Sequence, residues 1–320
     1  MALDVRELVR ERMPDFPMAR CGRLVTDTSE FMRIDYGDVI ELGGMHYLVF
    51  KDESERRFGL EDPKYWVKRC RCLESGESKI LKLVFYESFT LHLGAIAVQC
   101  YRSPQKEARI LMEVRGDIRF MQGVPINDTR GNVVRVLDII RGKPIDVVAD
   151  AIEADHETYF YEHFPDLLAR FITACEAIAS LHDRFEKHGD VRRDHLLMEH
   201  GTRQCRWIDF DYAFQSHENP FGLDLFGLGN ILLFLVGKRI YTAQELARFP
   251  APVIQSINED DLSLMFPHRI MNIGKLFPYI PKELNYILQH FSSGAPLFYE
   301  STAELLDDLR PVLKTMQPAP

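Results

Sequence analysis

The sequence predicts an α+β protein, with an antiparallel sheet and one helix in its first half and mainly helices in its second half. Residues 38–85 alternate short apolar runs with polar or glycine turns, as the strands of an antiparallel sheet do. After the turn at residues 141–144, the apolar positions instead recur every three or four residues, which is the spacing of helices that bury one face. These two patterns place the change of architecture near residue 141.

Four strands are predicted before the first helix, and they are Val39–Glu41, Tyr47–Lys51, Trp66–Leu73 and Ile80–Phe85. At residues 105–115 the apolar side chains follow a helical spacing. Residues 133–140 then form another apolar run, which predicts a buried strand. The first half is therefore expected to be a sheet accompanied by one helix.

The second half is predicted to contain two strongly apolar helices, at residues 165–184 and 223–236, with short strands at 195–198 and 206–210 between them. Two more helices are predicted at residues 282–291 and 301–313. We therefore divide the chain into three segments. They are an N-terminal extension of undefined structure (residues 1–37), a first lobe (residues 38–141) and a second lobe (residues 142–320).

The composition is that of a globular protein and excludes several classes. Of the 320 residues, 46% are hydrophobic and 27% are charged, which argues against a disordered or fibrous chain. The formal net charge is -9, which disfavours a broad nucleic-acid surface. We therefore expect no nucleic-acid partner.

The cysteines and the apolar runs bear on location. The six cysteines include no CxxC pair, so they predict neither a disulfide framework nor a zinc site. Charges stand where a signal peptide needs an apolar stretch, and the apolar runs are too short to span a membrane. We predict a cytoplasmic protein, with a peripheral contact at the inner face of a membrane left open. The oligomeric state is not indicated.

The densest chemical signal is the string HGDVRRDHLL, which begins at His188, followed by IDFD, which begins at Ile208. Phosphoryl transfer needs one carboxylate to accept or orient a hydroxyl and another, from a different element, to hold a metal ion against ATP phosphates. The two strings resemble the catalytic loop and the DFG metal-binding motif of the protein kinase superfamily. The structural alternative is that both sets of carboxylates cap turns and strand ends.

This resemblance implies a role for each matched residue. Asp190 would accept or orient the hydroxyl of the acceptor, and Arg192 would lie beside the γ-phosphate. Asp209 would hold Mg²⁺ or Mn²⁺, and His195 stands where protein kinases place a metal-binding Asn. An imidazole at that position favours Mn²⁺, because Mg²⁺ prefers oxygen ligands.

A second part of the resemblance lies upstream. The string SKILKLVF, from Ser78, resembles the strand whose lysine contacts the α- and β-phosphates of ATP, and this implies that role for Lys82. Its partner in the family is a helix glutamate, for which the string QKEARIL predicts Glu107. Lys79 and Glu113 are the alternatives.

The string VVRVLDII, from Val133, resembles the fifth strand and hinge of a kinase. The resemblance implies that adenine is bonded by backbone groups near Asp138 and Ile140. Downstream, DLFGLGNIL resembles a kinase helix whose aspartate caps the backbone of the catalytic loop, so Asp224 is expected to be structural. The segments at 282–288 and 299–309 resemble the last two helices of a bacterial Ser/Thr kinase domain.

Over about residues 46–313, the resemblance implies a two-lobed protein-kinase-like fold and ATP-dependent phosphotransferase activity. Three departures accompany it. The phosphate-covering loop has Gly59 alone in place of GxGxxG, with Gly43-Gly44 as an alternative loop, and His195 replaces Asn. The segment between Asp209 and Asp224 is short and has no APE sequence, so a peptide-docking platform has no room.

We predict a Ser/Thr protein kinase-like phosphotransferase that transfers the γ-phosphate of ATP to a hydroxyl on a protein, a glycan or a small molecule. The first alternative is a lipopolysaccharide core sugar kinase or a small-molecule kinase, because heptose kinases of that pathway resemble the Asp190 and His195 pattern. The second alternative is a pseudokinase that binds or scaffolds without transferring phosphate.

Overall fold

The computed structural model describes residues 4–57, 60–93, 96–215 and 219–316. These residues form two compact units. The first unit comprises Met1–Glu87 and Arg102–Ile140, and the second comprises Ser88–Tyr101 and Arg141–Pro320. The main division falls between Ile140 and Arg141.

The strands, in chain order, are β1 (Leu24–Val25), β2 (Val39–Leu42), β3 (Met45–Arg57), β4 (Leu60–Cys72), β5 (Ser78–Lys82), β6 (Ser88–Leu93), β7 (Ile96–Arg102), β8 (Gly123–Asn127), β9 (Val133–Asp138), β10 (Gly142–Pro144), β11 (Leu196–Glu199), β12 (Cys205–Trp207) and β13 (Tyr212–Phe214). The helices are α1 (Val5–Arg12), α2 (Pro104–Glu113), α3 (Ile145–Asp150), α4 (His156–Thr158), α5 (Phe164–His182), α6 (Gly222–Gly237), α7 (Ala251–Ser256), α8 (Lys282–Gln289) and α9 (Thr302–Met316).

The first unit is built on one sheet with the strand order β1-β2-β3-β4-β5-β9-β8. Every neighbouring pair in it is antiparallel except β1 with β2. Helix α2 packs on β8 and β9. The helix begins at Ser103, whose side chain accepts the N–H of Lys106, and Pro104 at its first position suits the fixed φ of proline. Among the described residues of the predicted first lobe, 38–141, the expected sheet with one helix is confirmed.

The N-terminal residues belong to this unit and do not form a separate extension. Helix α1 is capped by the Asp4 carboxylate, which accepts the N–H groups of Arg6 and Glu7. The apolar face of α1 enters a cluster that joins the N-terminal segment to the sheet, consisting of Val5, Val9, Phe16, Cys21, Val39, Leu48 and Leu73. Because β1 also pairs with β2, residues before position 38 complete the edge of the sheet.

The second unit is mainly helical, as predicted. Helix α5 packs against α6 and α9, and β10, β11 and β12 form a small antiparallel sheet beside them. Helix α6 is apolar over most of its circumference, so it can be buried on several sides. In the part of the chain that the structure describes, no helix has the length and apolar character needed to cross a membrane.

A hairpin of β6 and β7 departs from the prediction, which placed these residues in the first lobe. It belongs to the second unit, where the strand order is β13-β7-β6. Val98 and Cys100 of the hairpin pack against Phe214 of β13, together with Leu91 and Leu223. The pairing partner lies far away in the sequence, and local spacing carries no signal for such a contact.

Candidate functional site

One carboxylate holds the backbone of the predicted catalytic loop through two hydrogen bonds. Asp224 of α6 accepts the backbone N–H of His188 at 2.7 Å and that of Gly189 at 2.8 Å. Gly189 has a φ of 87°, which glycine adopts without strain. This geometry matches the capping role expected of Asp224 and leaves Asp190 at the end of a rigid turn.

Asp224 is in turn positioned by His182, which sequence reasoning counted only as part of an apolar helix face. His182 Nε2 lies 3.2 Å from Asp224 Oδ2, and its Nδ1 lies 3.0 Å from Thr302 Oγ1 at the start of α9. The imidazole also stacks on Phe221, with ring centroids 4.0 Å apart. A histidine within an otherwise apolar helical stripe was the available signal.

Helix α6 continues along the loop beyond Asp224. A Cβ atom added at Gly227 would lie 2.4 Å from the carbonyl oxygen of Val191, so only glycine allows this approach. Gly227 follows Asp224 by one helical turn, and the two positions therefore share one side of α6. The loop after Asp190 thus runs along that side of the helix.

Replacing Asp224 with Asn is expected to lower the free energy of unfolding by about 1–3 kcal/mol, because the amide keeps only one acceptor oxygen and one of the two N–H groups loses its partner. Urea unfolding measures the change. Asp307→Asn is the matched control, since the Asp307 side chain is 77% exposed on α9. Equal stability of the two variants would show that Asp224 does not cap the loop.

The candidate metal-binding pair lies on the other side of Asp190. Asp209 follows β12 and has a φ of 60°, a left-handed conformation that residues with a side chain rarely adopt. Such strained backbone concentrates at functional sites. His195 Nε2 lies 3.7 Å from Asp209 Oδ2, and His195 Nδ1 lies 3.4 Å from Asp190 Oδ2. The three predicted residues therefore converge within the second unit.

The hydrogen bond of His195 sets its tautomer. Nδ1 lies 3.0 Å from the backbone carbonyl oxygen of Asp190, which can only accept, so Nδ1 carries the proton. In the neutral ring, the lone pair then belongs to Nε2, on the side of Asp209. A histidine that ligates a metal ion commonly donates its other ring N–H to a backbone carbonyl in this way.

His195 and Asp209 fit a divalent cation that is shared with a nucleotide. Within the described ranges, no group of three or more His, Cys, Asp or Glu side chains is arranged to hold a metal ion. Mg²⁺ at a phosphate site needs fewer protein ligands, because water and substrate phosphates supply the remaining oxygens. The imidazole nitrogen makes Mn²⁺ the better match of the two cations.

The electrostatics of Asp190 suit a base. Its partial burial raises the pKa of its carboxyl, and the positive charge of Arg192 opposes that shift. Arg192 Nη1 lies 3.9 Å from Asp190 Oδ2. A carboxylate with a raised pKa accepts a proton more readily.

Asp194 is a member of the site that sequence reasoning missed. Arg192 donates two hydrogen bonds to it, from Nε at 3.0 Å and from Nη2 at 2.5 Å. Burial raises the pKa of Asp194, yet its interactions with neighbouring groups, among them the hydrogen bond and the charge of Arg192, hold the pKa below its usual value. Arg192 therefore lies against Asp194, and its predicted place beside the γ-phosphate stays a prediction.

The first unit brings the predicted lysine and glutamate together. Lys82 Nζ lies 2.7 Å from Glu107 Oε1, and their side chains are only 3% and 0% exposed. The second oxygen of Glu107 accepts from Arg135 Nε at 3.0 Å. Arg135, on β9, was read only as a strand residue. Its Nη1 also donates to the carbonyl oxygens of Leu83 and Val133.

The two alternatives for this pair are placed elsewhere. Lys79 Nζ lies 2.7 Å from Asp138 Oδ1 and 2.8 Å from Glu77 Oε2, on the opposite face of β5 from Lys82. Glu113 is exposed at the end of α2. Strand periodicity separates Lys79 from Lys82, because positions an odd number of residues apart point to opposite faces.

Of the residues predicted to contact the adenine base and the phosphates, those that the structure describes lie at the end of β9 and in turns. Asp138 ends β9, and its backbone N–H donates to the carbonyl oxygen of Gln122 at 2.9 Å, so this donor is already engaged. Ile140 is the last residue of the first unit. Gly59 lies outside the described residues. Gly43 and Gly44 form the turn between β2 and β3, with φ values of 57° and 79°.

No protein-family model matches the chain, and no curated protein matches it. Among solved structures, it is similar to the kinase domain of Mycobacterium tuberculosis PknI, with 15% identity over 85% of this chain and 97% of that one, and a TM-score of 0.46. A cysteine-to-alanine mutant of the same domain gives 15% identity, 88% and 99% coverage, and a TM-score of 0.48. The similarity concerns the fold.

Proposed function

We propose that this chain is an ATP-dependent phosphotransferase that transfers the γ-phosphate to a hydroxyl. The observation that carries the proposal is the convergence of Asp190, His195 and Asp209 in the second unit, with the His195 lone pair on the Asp209 side. A buried loop whose only role was structural would have no need for this arrangement of two carboxylates and an imidazole.

In this proposal each residue has one role. Asp209 and His195 hold Mg²⁺ or Mn²⁺, which neutralises phosphate charge when it is bound. Asp190 accepts or orients the acceptor hydroxyl, and Arg192 stabilises charge that develops on the transferred group. Lys82, held by Glu107, contacts the α- and β-phosphates. Adenine is bonded by backbone groups near Asp138 and Ile140.

The acceptor is proposed to be a hydroxyl on a sugar or another small molecule, ahead of a Ser or Thr side chain of a protein. The segment after Asp209 forms β13 at once and pairs with the β6–β7 hairpin. It then reaches α6 at Gly222, so little chain is left to build a peptide-docking platform. All six cysteines are free and buried, which suits the reducing cytoplasm that we propose as its location.

Nucleotide binding and ATP consumption test the proposal directly. Thermal unfolding with ATP and Mn²⁺ or Mg²⁺ is expected to show stabilisation that requires the metal. Labelled ATP offered with sugar, lipid and peptide acceptors is expected to lose its γ-phosphate to a hydroxyl-bearing acceptor. Metal-dependent binding without any transfer would favour the pseudokinase alternative, and the absence of both would refute the phosphotransferase.

Replacing His195 with Asn is expected to move the metal preference from Mn²⁺ toward Mg²⁺ without abolishing turnover, because an amide oxygen replaces the imidazole nitrogen. ATP consumption measured with each metal gives this preference.

His200→Asn is the matched control for this variant, because His200 is an exposed histidine in the turn after β11. An unchanged metal preference in His195→Asn would show that His195 is a packed core residue and not a ligand.

A further inference from the structure

The side of α6 that caps the predicted catalytic loop continues beyond the cap to two further positions. Asp224 and Gly227 contact the loop at His188, Gly189 and Val191. Continuing along α6 by the same spacing of three or four residues brings Asn230 and then Phe234 onto this side. Whatever binds these two positions therefore lies beside the part of the loop that follows Asp190.

Two guanidinium groups meet α6 at these positions. Arg269 Nη1 donates to Asn230 Oδ1 at 3.0 Å, and Arg193 lies over Phe234 with its Cζ 4.6 Å from the ring centroid. Asn230 and Phe234 are one turn apart, so these two contacts are made at neighbouring positions of α6, and the charge of Arg193 acts on Arg269. We call Arg193 and Arg269 the arginine pair. Arg193 is also only one residue from Arg192, which approaches Asp190.

Arg269 is held in place before any ligand arrives. Its backbone carbonyl accepts the N–H of Ser263 at 2.8 Å, and its own N–H donates to Phe266 at 2.8 Å. Its guanidinium lies over the Phe266 ring, with Cζ 3.7 Å from the centroid. Asn230 is itself fixed, since its Nδ2 donates to the carbonyl oxygen of Phe226 at 3.0 Å. This order makes the guanidinium a preorganised donor.

The arginine pair carries more positive charge than the described side chains neutralise. Arg193 Nε lies 3.5 Å from Asp146 Oδ2, whereas no described carboxylate lies within ion-pair distance of Arg269. Burial, with the positive charge of Arg193, lowers the pKa of the Arg269 guanidinium. Two like charges held together without full compensation are destabilising, and an anion placed between them would remove that repulsion.

We propose that the arginine pair binds a phosphate group carried by the acceptor, so that the acceptor of the proposed reaction is a phosphorylated sugar. The fork of a guanidinium matches two phosphate oxygens, which is why arginine recognises phosphate so often. A sugar is favoured over a phosphopeptide because the segment between Asp209 and α6 is too short for a peptide platform. The inference rests on the proposed function and adds the class of substrate.

Binding of inorganic phosphate tests the subsite without any need for catalysis. Isothermal titration calorimetry of the full chain is expected to show phosphate binding. The affinity should fall about tenfold or more in Arg269→Gln, because one charge-assisted contact is lost. Arg193→Gln should weaken it as well, which keeps the test decisive if Arg269→Gln fails to fold. Arg239→Gln is the control, because Arg239 is exposed in the same unit and pairs with Glu245.

Turnover then identifies the source of the phosphate. A hexose 6-phosphate is expected to be used about tenfold or more better in kcat/KM than the parent hexose by wild type and Arg239→Gln, and this preference should disappear in Arg269→Gln. Equal use of the two sugars, or a preference for a phosphoserine peptide, would overturn the proposal.

The two proposals fail in different ways. ATP consumption that persists while phosphate binding is independent of Arg269 would refute the subsite and leave the phosphotransferase intact. Phosphate binding through Arg269 in a protein that binds no nucleotide would refute the phosphotransferase, and with it the role of the arginine pair in acceptor binding.

Discussion

Asp209→Asn is expected to abolish metal-dependent stabilisation by ATP and to reduce the rate of phosphate transfer by about 100-fold or more. Removal of one electrostatic contact to a reacting group reduces rates by about this factor. The amide keeps the size of the side chain but loses the charge that a divalent cation requires. Because Asp209 and Asp190 repel each other when both are charged, the folded protein should be at least as stable as wild type.

Thermal unfolding with and without ATP and Mn²⁺, followed by transfer assays, measures both effects. Asp183→Asn serves as the control, since Asp183 is an exposed aspartate at the end of α5. Should ATP stabilise Asp209→Asn as strongly as it stabilises wild type, Asp209 holds no metal.

Glu107→Gln is expected to be the most destabilising of the conservative changes, with a loss of about 3–5 kcal/mol in the free energy of unfolding. Glu107 is fully buried and forms ion pairs with both Lys82 and Arg135, which are also buried. An amide would remove the negative charge from both ion pairs, and it would also place an N–H group where an acceptor is needed.

Urea unfolding at neutral pH measures this loss. Glu113→Gln is the matched control, because it makes the same chemical change at an exposed position of the same helix. Comparable stability in the two variants would show that the ion pairs of Glu107 do not stabilise the fold.

The sequence predicted the parts of the site whose chemistry lies in short strings of fixed order. Asp190, His195 and Asp209 belong to two such strings, and they converge in the second unit. Lys82 and Glu107 were matched as one pair, and they form one. Strands and helices were predicted for the same reason, since their periodicity is a local property of the chain.

The features that sequence reasoning missed depend on contacts between distant segments. Arg135 joins Glu107 from another strand, and Arg269 reaches Asn230 from a loop that follows α7. The residues next to each arginine in the sequence do not indicate these partners, because each contact joins segments that are far apart in the chain. The N-terminal helix and the β6–β7 hairpin were also missed, because their partners are known only once the chain has folded.

The position of the β6–β7 hairpin in the chain affects the order in which the second unit folds. It leaves the ribosome before β8 and β9, which complete the first unit, and long before β13, its own partner in the second. Until β13 is synthesised, β7 has an unpaired edge that can pair wrongly. The second unit therefore closes by a late, long-range step, and contacts of this kind slow folding more than they reduce stability.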